Sequence, residues 1–296
     1  MKYPKWIIDD IKKKKQNFHK EITAIETDLD LISYRTNTIC YEAKCPNKGK
    51  CFANRHATFL ILGTRCTRNC LFCSVEKSKP FTPDPLEPSK IANLVLKWNL
   101  KYVIFTSPTR DDLSDGGAEH FAKTVREIRK IKPNTIIETL IPDFKGKEES
   151  LKILVASKPD VISHNIEMVE RLYPIIRSKA DYKRSLDVIK KIKQIDNSII
   201  TKSSIILGLG EEMDEIKKTI SDLKNASCDI LVVGQYLNPT KESWDIKKFY
   251  TPKEFKYIED YAVSIGFKSV ISEPLARTSY LAYEMYKKIK NENIIS

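Results

Sequence analysis

Six of the seven cysteines form two groups of three, Cys40-x4-Cys45-x5-Cys51 and Cys66-x3-Cys70-x2-Cys73. Three thiolates are one ligand short of a closed tetrahedral zinc site, and two threes do not divide into the paired Cys-x2–4-Cys knuckles that zinc prefers. A cuboidal iron–sulfur cluster takes one thiolate per iron, so three cysteines leave one iron for another ligand. We therefore favour an iron–sulfur cluster at each group over zinc, which would have to borrow His56 or Cys228.

The composition is that of an enzyme-sized globular protein. The chain has 296 residues, of which 41% are hydrophobic, 30% are charged and 9 are glycine. It is long enough for one large α/β barrel or two ordinary domains. The N-terminus has no apolar signal core, and no stretch approaches the roughly 20 apolar residues that span a bilayer. We expect a cytoplasmic protein with no membrane partner, in which clustered cysteines bind metal rather than form disulfides.

The formal net charge is +12, but the lysines are spread through the whole chain. A nucleic-acid-binding surface is expected to show arginines clustered among aromatic residues. The sequence has no such arginine-rich patch. We do not expect a nucleic acid partner.

Short β-branched runs alternate with amphipathic helical stretches from Ala57 onward. Two of the helical patterns are Ile216, Ile220, Leu223 and Phe255, Ile258, Ala262, Ile265. Strands separated by helices run parallel, so the pattern predicts an α/β fold, a partial or full parallel (β/α) barrel, with a doubly wound open sheet as the alternative. The seven strand candidates are 58–63, 101–106, 135–140, 160–165, 203–208, 229–235 and 268–272.

Polar residues follow the predicted strands directly. Because the active sites of β/α barrels collect at the carboxyl ends of the strands, we expect these side chains to converge on one rim. The residues concerned are Cys66, Cys70 and Cys73 after the first strand, Thr106, Ser107 and Arg110 after the second, Asn165 after the fourth, Glu211 after the fifth, Gln235 after the sixth, and Arg277 and Ser279 after the last.

The Cys66-x3-Cys70-x2-Cys73 group, placed after the first strand of a β/α barrel, resembles the radical S-adenosylmethionine (SAM) superfamily. The resemblance implies a 4Fe–4S cluster whose open iron binds SAM and whose electron cleaves it to a 5′-deoxyadenosyl radical. Such a radical is needed to break an unactivated C–H bond, which no side-chain base can deprotonate.

Motifs from about Cys40 to about Glu284 also resemble the lipoyl synthase family, in the family's order. The stretches are CYEAKCPNKGKC, ILGTRCTRNCLFC, TSPTRDDLSDGGAEHFA, IETLIPDFKG, HNIEMVERLYP, ILGLGE, VGQYLNPT and LARTSYLAYE. This resemblance implies a sulfurtransferase that inserts sulfur at C6 and C8 of a protein-bound octanoyl group.

The same resemblance implies a second, auxiliary 4Fe–4S cluster that donates the sulfur. Cys40, Cys45 and Cys51 would bind it, and the hydroxyl of Ser279, in the motif Arg277-Thr278-Ser279-Tyr280, would be the fourth ligand. From position alone, Ser279 would instead be the N-cap of a helix beginning at Tyr280. Arg277 would carry a positive charge into the mouth of the cluster, or form a salt bridge at the rim.

Six further residues are expected from their positions to bind SAM, the first three near the cluster and the other three as polar contacts to its nucleoside or methionine part. They are Thr106, Ser107, Arg110, Glu138, Asn165 and Glu167.

We predict three parts of the chain. Residues 1–56 are an N-terminal extension with the auxiliary-cluster cysteines, 57–273 the barrel core, and 274–296 a C-terminal extension with the serine ligand motif.

Three partners are expected. The first is an octanoylated lipoyl-carrier domain, as in a 2-oxoacid dehydrogenase E2 subunit or a glycine-cleavage H protein. The others are a low-potential electron donor such as ferredoxin or flavodoxin, and a carrier that repairs the cluster.

Three positions depart from the family pattern: Pro108 stands where a branched residue is usual, Glu273 where glycine is usual, and Thr278 where serine is usual. These departures leave room for a chain that is half of a two-protein lipoyl synthase and inserts a single sulfur. The basic charge would also suit a different two-cluster radical SAM enzyme, such as a tRNA methylthiotransferase. Enzymes of that kind, however, spread their N-terminal cysteines over tens of residues and usually append an RNA-binding domain, and neither feature is seen in this sequence. A non-enzymatic zinc module that binds nucleic acid is the third hypothesis, in which the net charge would matter most.

Overall fold

The computed structural model describes residues 2–15 and 22–295, with the side chains of 2–13 and 23–291. The chain forms two compact units. The N-terminal unit comprises Tyr3–Asn69 and Cys73–Asp160, and the C-terminal unit comprises Met1–Lys2, Cys70–Phe72 and Val161–Ser296.

The N-terminal unit contains three parallel strands that lie in chain order, and one short antiparallel strand at the edge. The strand order is β1-β2-β5-β6. A separate parallel pair joins β3 and β4. The strands are β1 (Asn37–Thr38), β2 (Thr58–Leu60), β3 (Arg65–Cys66), β4 (Glu76–Lys77), β5 (Tyr102–Thr106) and β6 (Ile136–Leu140). The helices are α1 (Lys5–Lys15), α2 (Ile22–Ser33), α3 (Ile39–Glu42), α4 (Lys48–Ala53), α5 (Glu87–Lys97), α6 (Ala118–Ile131) and α7 (Glu148–Ala156).

The C-terminal unit is a second run of parallel strands in chain order, β7-β8-β9-β10. The strands are β7 (Val161–Ser163), β8 (Ile200–Leu207), β9 (Ile230–Gln235) and β10 (Ser269–Ser272). The helices are α8 (Tyr173–Ile176), α9 (Tyr182–Ile195), α10 (Met213–Asn225), α11 (Pro252–Ser264) and α12 (Ala282–Ile295).

The helices bury the apolar faces that their sequences predict. Ile216, Ile220 and Leu223 of α10 are fully buried, as is the corresponding face of α11. Both helices begin with a capping box, in which the N-cap side chain and the glutamate three residues later satisfy each other's backbone N–H groups. The last residue of the predicted α11 stripe, Ile265, instead forms the C-cap.

All seven predicted strands are confirmed, with boundaries shifted by a few residues. The main difference is β1, because no strand was predicted within residues 1–56. Asn37 pairs with Leu60 and Thr38 with Phe59, and two residues are too few to show an alternating pattern. Neither unit reverses its order of parallel strands, so neither contains the switch point of a doubly wound sheet.

Within residues 2–15 and 22–295, no helix combines the length and the apolar character needed to cross a membrane.

Candidate functional site

The first cysteine group lies beside the start of the sheet in the N-terminal unit. Thr38 is the N-cap of α3: its Oγ1 accepts a hydrogen bond from the Cys40 N–H at 3.1 Å and donates one to the Thr58 carbonyl at 2.8 Å. The Cys45 N–H then donates to the Cys40 carbonyl at 3.1 Å. The local backbone thus holds Cys40 and Cys45 in one tight turn next to β2.

Cys51 lies on the next helix, α4, where its N–H donates to the Asn47 carbonyl at 3.0 Å. Burial raises the pKa of the Cys40 thiol, and the nearby Cys45 thiol raises it further. A thiolate at Cys40 therefore needs a positive partner such as a metal ion.

The second cysteine group begins at β3 and continues through the loop that follows. Its first part is anchored in the N-terminal unit: the Thr67 N–H and Oγ1 both donate to the Thr109 carbonyl, at 3.1 and 2.9 Å. The Arg68 N–H donates to Cys66 Sγ at 3.4 Å. The loop therefore has a fixed conformation on the Cys66 side, and Cys66 Sγ already accepts one hydrogen bond.

The middle of the same loop, Cys70–Phe72, belongs to the C-terminal unit. The Leu71 N–H donates to the Ile176 carbonyl at 2.9 Å, and the Leu71 carbonyl accepts from the Trp244 N–H at 2.8 Å. Burial opposes the charge on Arg177, but Tyr173, Glu167 and Cys70 attract it and raise its pKa. A permanent positive charge therefore lies near the Cys70 thiol, where it favours the thiolate.

The residues after β5 include one buried hydroxyl that is not satisfied. Thr106 Oγ1 donates to the Leu140 carbonyl at 2.8 Å. By contrast, Ser107 Oγ is buried and has no hydrogen-bond partner among the described residues. Because a buried polar atom normally has a partner, Ser107 is a good candidate for contact with a ligand.

Arg110 and Glu138 are both engaged by protein groups. The Arg110 side chain is 1% exposed and donates to the Leu62 carbonyl at 2.9 Å, the Phe81 carbonyl at 3.0 Å and both oxygens of Asp112. Glu138 on β6 accepts from the Tyr102 hydroxyl at 2.6 Å. The Arg110 side chain thus holds the segment after β5, and Glu138 links the middle of β6 to the first residue of β5. Their predicted contacts with SAM stay a prediction.

Asn165 and Glu167 follow β7 and lie together. The Asn165 side-chain N–H2 donates to Glu167 Oε1 at 3.0 Å and to Thr278 Oγ1 at 2.9 Å. Burial raises the pKa of Glu167, while Arg177, Asn165 and Arg277 act in the opposite direction. The structure thus brings two predicted SAM contacts together with the motif that contains Ser279.

The Arg277-Thr278-Ser279-Tyr280 motif forms a turn after β10. Arg277 Nη1 donates to the Ala276 carbonyl at 2.6 Å. A Cβ at Gly234 on β9 would lie 2.3 Å from the same carbonyl oxygen, so only glycine allows this close approach. Helix α12 begins at Ala282, and Ser279 therefore lies before the helix rather than at its N-cap.

Comparisons with known proteins agree with the family resemblance of the two cysteine groups. The radical SAM superfamily model matches residues 60–223. The chain is 49% identical over 288 residues to the lipoyl synthase of Caldicellulosiruptor saccharolyticus, and the match covers 97% of this chain and 99% of the relative. It is 51% identical over 261 residues to the lipoyl synthase of Caldicellulosiruptor bescii, covering 88% of this chain and 90% of the relative. The chain belongs to the lipoyl synthase family of the radical SAM superfamily.

Membership of the lipoyl synthase family confirms several predictions from the sequence. The fold is a parallel β/α fold of radical SAM type, and it is shared with the crystal structure of methylornithine synthase. That structure has a TM-score of 0.54 and 13% identity, and the match covers 97% of this chain and 91% of that one. The protein is a radical SAM enzyme that acts as a sulfurtransferase, and its cofactors are 4Fe–4S clusters and SAM.

The thiol groups fit the clusters of the lipoyl synthase family. All seven cysteines are free thiols, including both groups of three. Within residues 2–15 and 22–295, no three His, Cys, Asp or Glu side chains converge to hold a single metal ion. Convergence on one ion is not required in a cuboidal cluster, since each thiolate binds a different iron.

Sequence reasoning missed two arginines at the cysteine loop, which is the segment 66–73 that carries the second cysteine group. Arg68 lies inside the loop and Arg177 follows α8. Neither residue belongs to a sequence motif from which its contacts could be predicted.

The Gly208-Leu209-Gly210 loop after β8 is not a phosphate-binding site. Its three backbone N–H groups already donate to the side chain of Glu211, at 2.6, 2.9 and 3.1 Å.

Proposed function

We propose that this lipoyl synthase family enzyme inserts sulfur at both C6 and C8 of an octanoyl group on a lipoyl-carrier domain. When bound, the SAM-dependent cluster would supply the radical that removes hydrogen from unactivated carbons, and the auxiliary cluster would supply the sulfur. The observation that carries the proposal is the presence of two separate groups of three free thiols in a chain of this family.

The ligands of the SAM-binding cluster would be Cys66, Cys70 and Cys73. Two features support this assignment: the Arg68 N–H donates to Cys66 Sγ, and the positive charge of Arg177 lies near Cys70. A hydrogen bond to one sulfur and a positive charge near the other are surroundings in which cysteines bind metal.

Cys40, Cys45, Cys51 and Ser279 would hold the auxiliary cluster. The raised pKa of Cys40 fits a thiol that ionises only when it binds metal. A serine oxygen is a harder ligand than a thiolate and less well matched to iron, so Ser279 would be the ligand released first when the cluster gives up its sulfur. Arg277 would contribute positive charge at this mouth.

SAM would be held by residues at the strand ends. Ser107 is supported by its unsatisfied hydroxyl, and Asn165 and Glu167 by their mutual hydrogen bond beside Arg177. Thr106 at the end of β5, Arg110 in the segment that follows it and Glu138 within β6 would also contribute.

The three-part division at residues 56 and 273, the ferredoxin or flavodoxin donor and the cluster-repair carrier belong to the same proposal. So does a cytoplasmic location, which is supported by seven free thiols in a chain without a disulfide.

The test is anaerobic reconstitution of the enzyme with iron and sulfide, followed by SAM, a strong reductant and an octanoyl-lysine peptide, with mass spectrometry of the peptide. Two added sulfurs support the proposal. One added sulfur would assign the chain to half of a two-protein system, and release of 5′-deoxyadenosine without sulfur in the peptide would point to another substrate.

A further inference from the structure

We propose that Arg68 is a positioning residue for the cysteine loop: its guanidinium, held between Asp111 and Asp143, fixes the loop so that the Arg68 N–H points at Cys66 Sγ. This inference rests on the proposed function, in which Cys66, Cys70 and Cys73 bind the SAM-binding cluster.

The contacts of Arg68 are unusually complete. Its side chain is 4% exposed. Nε and Nη2 donate to the two oxygens of Asp111 at 2.8 and 3.0 Å, and Nη1 and Nη2 donate to the two oxygens of Asp143 at 2.9 and 2.6 Å. Each carboxylate is therefore bound in a bidentate manner, which fixes the plane of the guanidinium as well as its position.

The two carboxylates come from the ends of different strands. Asp111 follows β5, and its own N–H donates to Thr67 Oγ1 at 3.0 Å. Asp143 follows β6 and is 1% exposed, and its Oδ1 also accepts from the Lys145 N–H at 3.0 Å. Arg68 thus ties the cysteine loop to the carboxyl ends of two neighbouring strands.

A buried arrangement of this kind is poorly explained by stability alone. Burying Arg68 with Asp143, whose side chain is 1% exposed, carries a desolvation cost, and replacing such groups with apolar side chains is often neutral or stabilising. What the arrangement does provide is a single geometry for the Arg68 backbone, whose N–H reaches Cys66 Sγ at 3.4 Å. Hydrogen bonds to cluster sulfurs are one of the features that set reduction potential.

The experiment isolates the SAM-binding cluster in a full-length parent variant with Cys40, Cys45 and Cys51 all changed to Ala. Into this parent we place Arg68→Gln, Arg68→Lys or the control Arg129→Gln. Arg129 is also paired with a carboxylate in the N-terminal unit, Asp160, and binds the Pro133 carbonyl, but it lies away from the cysteine loop. The readouts are the rate of iron release to a chelator, the midpoint potential of the cluster by EPR titration, and SAM cleavage to 5′-deoxyadenosine.

We expect Arg68→Gln to release iron about tenfold faster than the parent and to lower the midpoint potential, because the hydrogen bond to Cys66 Sγ loosens. Arg68→Lys should show the same changes to a smaller degree, since it keeps the charge but not the bidentate geometry. If the glutamine variant does not fold, the lysine variant provides the test. Arg129→Gln should match the parent in all three readouts.

Iron release and midpoint potential in the Arg68 variants equal to those of Arg129→Gln would overturn the inference while leaving the proposed function intact. A parent that holds no 4Fe–4S cluster would overturn the proposed function and this inference with it.

Discussion

The side-chain amide of Asn165 donates a hydrogen bond to Thr278 Oγ1 at 2.9 Å, across 113 residues of sequence. In return, Thr278 Oγ1 donates to Asn165 Oδ1 at 3.2 Å. The pair connects the end of β7, where SAM contacts are proposed, to the turn that contains the proposed cluster ligand Ser279. Thr278 stands where the family usually has serine, and it retains the hydroxyl that forms hydrogen bonds with Asn165.

Changing Thr278 to Val should uncouple sulfur insertion from SAM cleavage. Valine has nearly the same shape but cannot form either hydrogen bond with Asn165, which loosens the turn before Ser279 by about 1 kcal/mol per lost bond. The measurement is the ratio of lipoyl product to 5′-deoxyadenosine, which should fall several-fold. Thr278→Ser is the matched control and should retain the wild-type ratio; an unchanged ratio in the valine variant would argue against the coupling.

Changing Ser279 to Ala should weaken the auxiliary cluster selectively. Loss of the proposed oxygen ligand leaves only Cys40, Cys45 and Cys51, so iron content should fall at this cluster while SAM cleavage continues. Iron analysis and Mössbauer spectroscopy of a Cys66→Ala background, in which the other cluster is removed, measure the auxiliary site alone. Full iron content together with full sulfur insertion in the otherwise wild-type Ser279→Ala enzyme would show that Ser279 is not a ligand.

Changing Ser107 to Ala should weaken SAM binding without a loss of stability. The hydroxyl is buried and unsatisfied among the described residues, so its removal costs the folded protein nothing, whereas a lost hydrogen bond to SAM costs about 1 kcal/mol, or roughly fivefold in affinity. The control is Ser185→Ala, because Ser185 is fully buried and its hydroxyl already donates to the Asp181 carbonyl at 3.0 Å.

Equilibrium binding of SAM to the reconstituted enzyme and urea unfolding of the apoprotein are measured for both serine variants. Ser185→Ala should lose stability and keep its SAM affinity. The reverse pattern, with Ser107→Ala destabilised and SAM affinity unchanged, would remove Ser107 from the pocket.

Asp229 makes stability depend on pH at the start of β9. Burial acts to raise the pKa of Asp229, but hydrogen bonds from Lys193 and Lys268 outweigh it and hold the pKa below the ordinary value of 3.8. A carboxyl whose pKa is depressed by folding stabilises the protein above its unfolded pKa, and that contribution is lost as the pH falls through the folded pKa.

The variant Asp229→Asn should therefore be less stable than the wild type by about 3 kcal/mol at pH 7, because Lys193, whose side chain is only 11% exposed, loses its countercharge. The difference should shrink as the pH falls below the ordinary carboxyl pKa of 3.8. Urea unfolding of both apoproteins between about pH 7 and 3 measures it, and a difference that stays constant over this range would contradict the assignment.

The strands and helix faces could be predicted because they depend on local patterns. The β-branched run at 101–106 and the stripe Ile216, Ile220, Leu223 require only their own residues to be recognised. The position of Ser107 at a strand end followed from the same reasoning, since parallel strands place their carboxyl ends on one rim.

The contacts that hold the site together could not be predicted in this way. Arg68 lies 43 residues from Asp111 and 75 from Asp143, and no local pattern links an arginine in a loop to carboxylates after two different strands. Arg110 shows the converse limit. Its position at a strand end suggested contact with SAM, but its donors are taken by Leu62, Phe81 and Asp112, which only the folded backbone reveals.

The most direct test of the central claim is to trace the inserted sulfur. The enzyme is reconstituted with iron and ³⁴S-sulfide, freed of excess sulfide, and given SAM, reductant and an octanoyl-lysine peptide in unlabelled buffer. If the chain inserts two sulfurs from its own auxiliary cluster, mass spectrometry will find ³⁴S at both positions of the product. A lipoyl product without ³⁴S would contradict the account, because the sulfur would then come from outside the cluster.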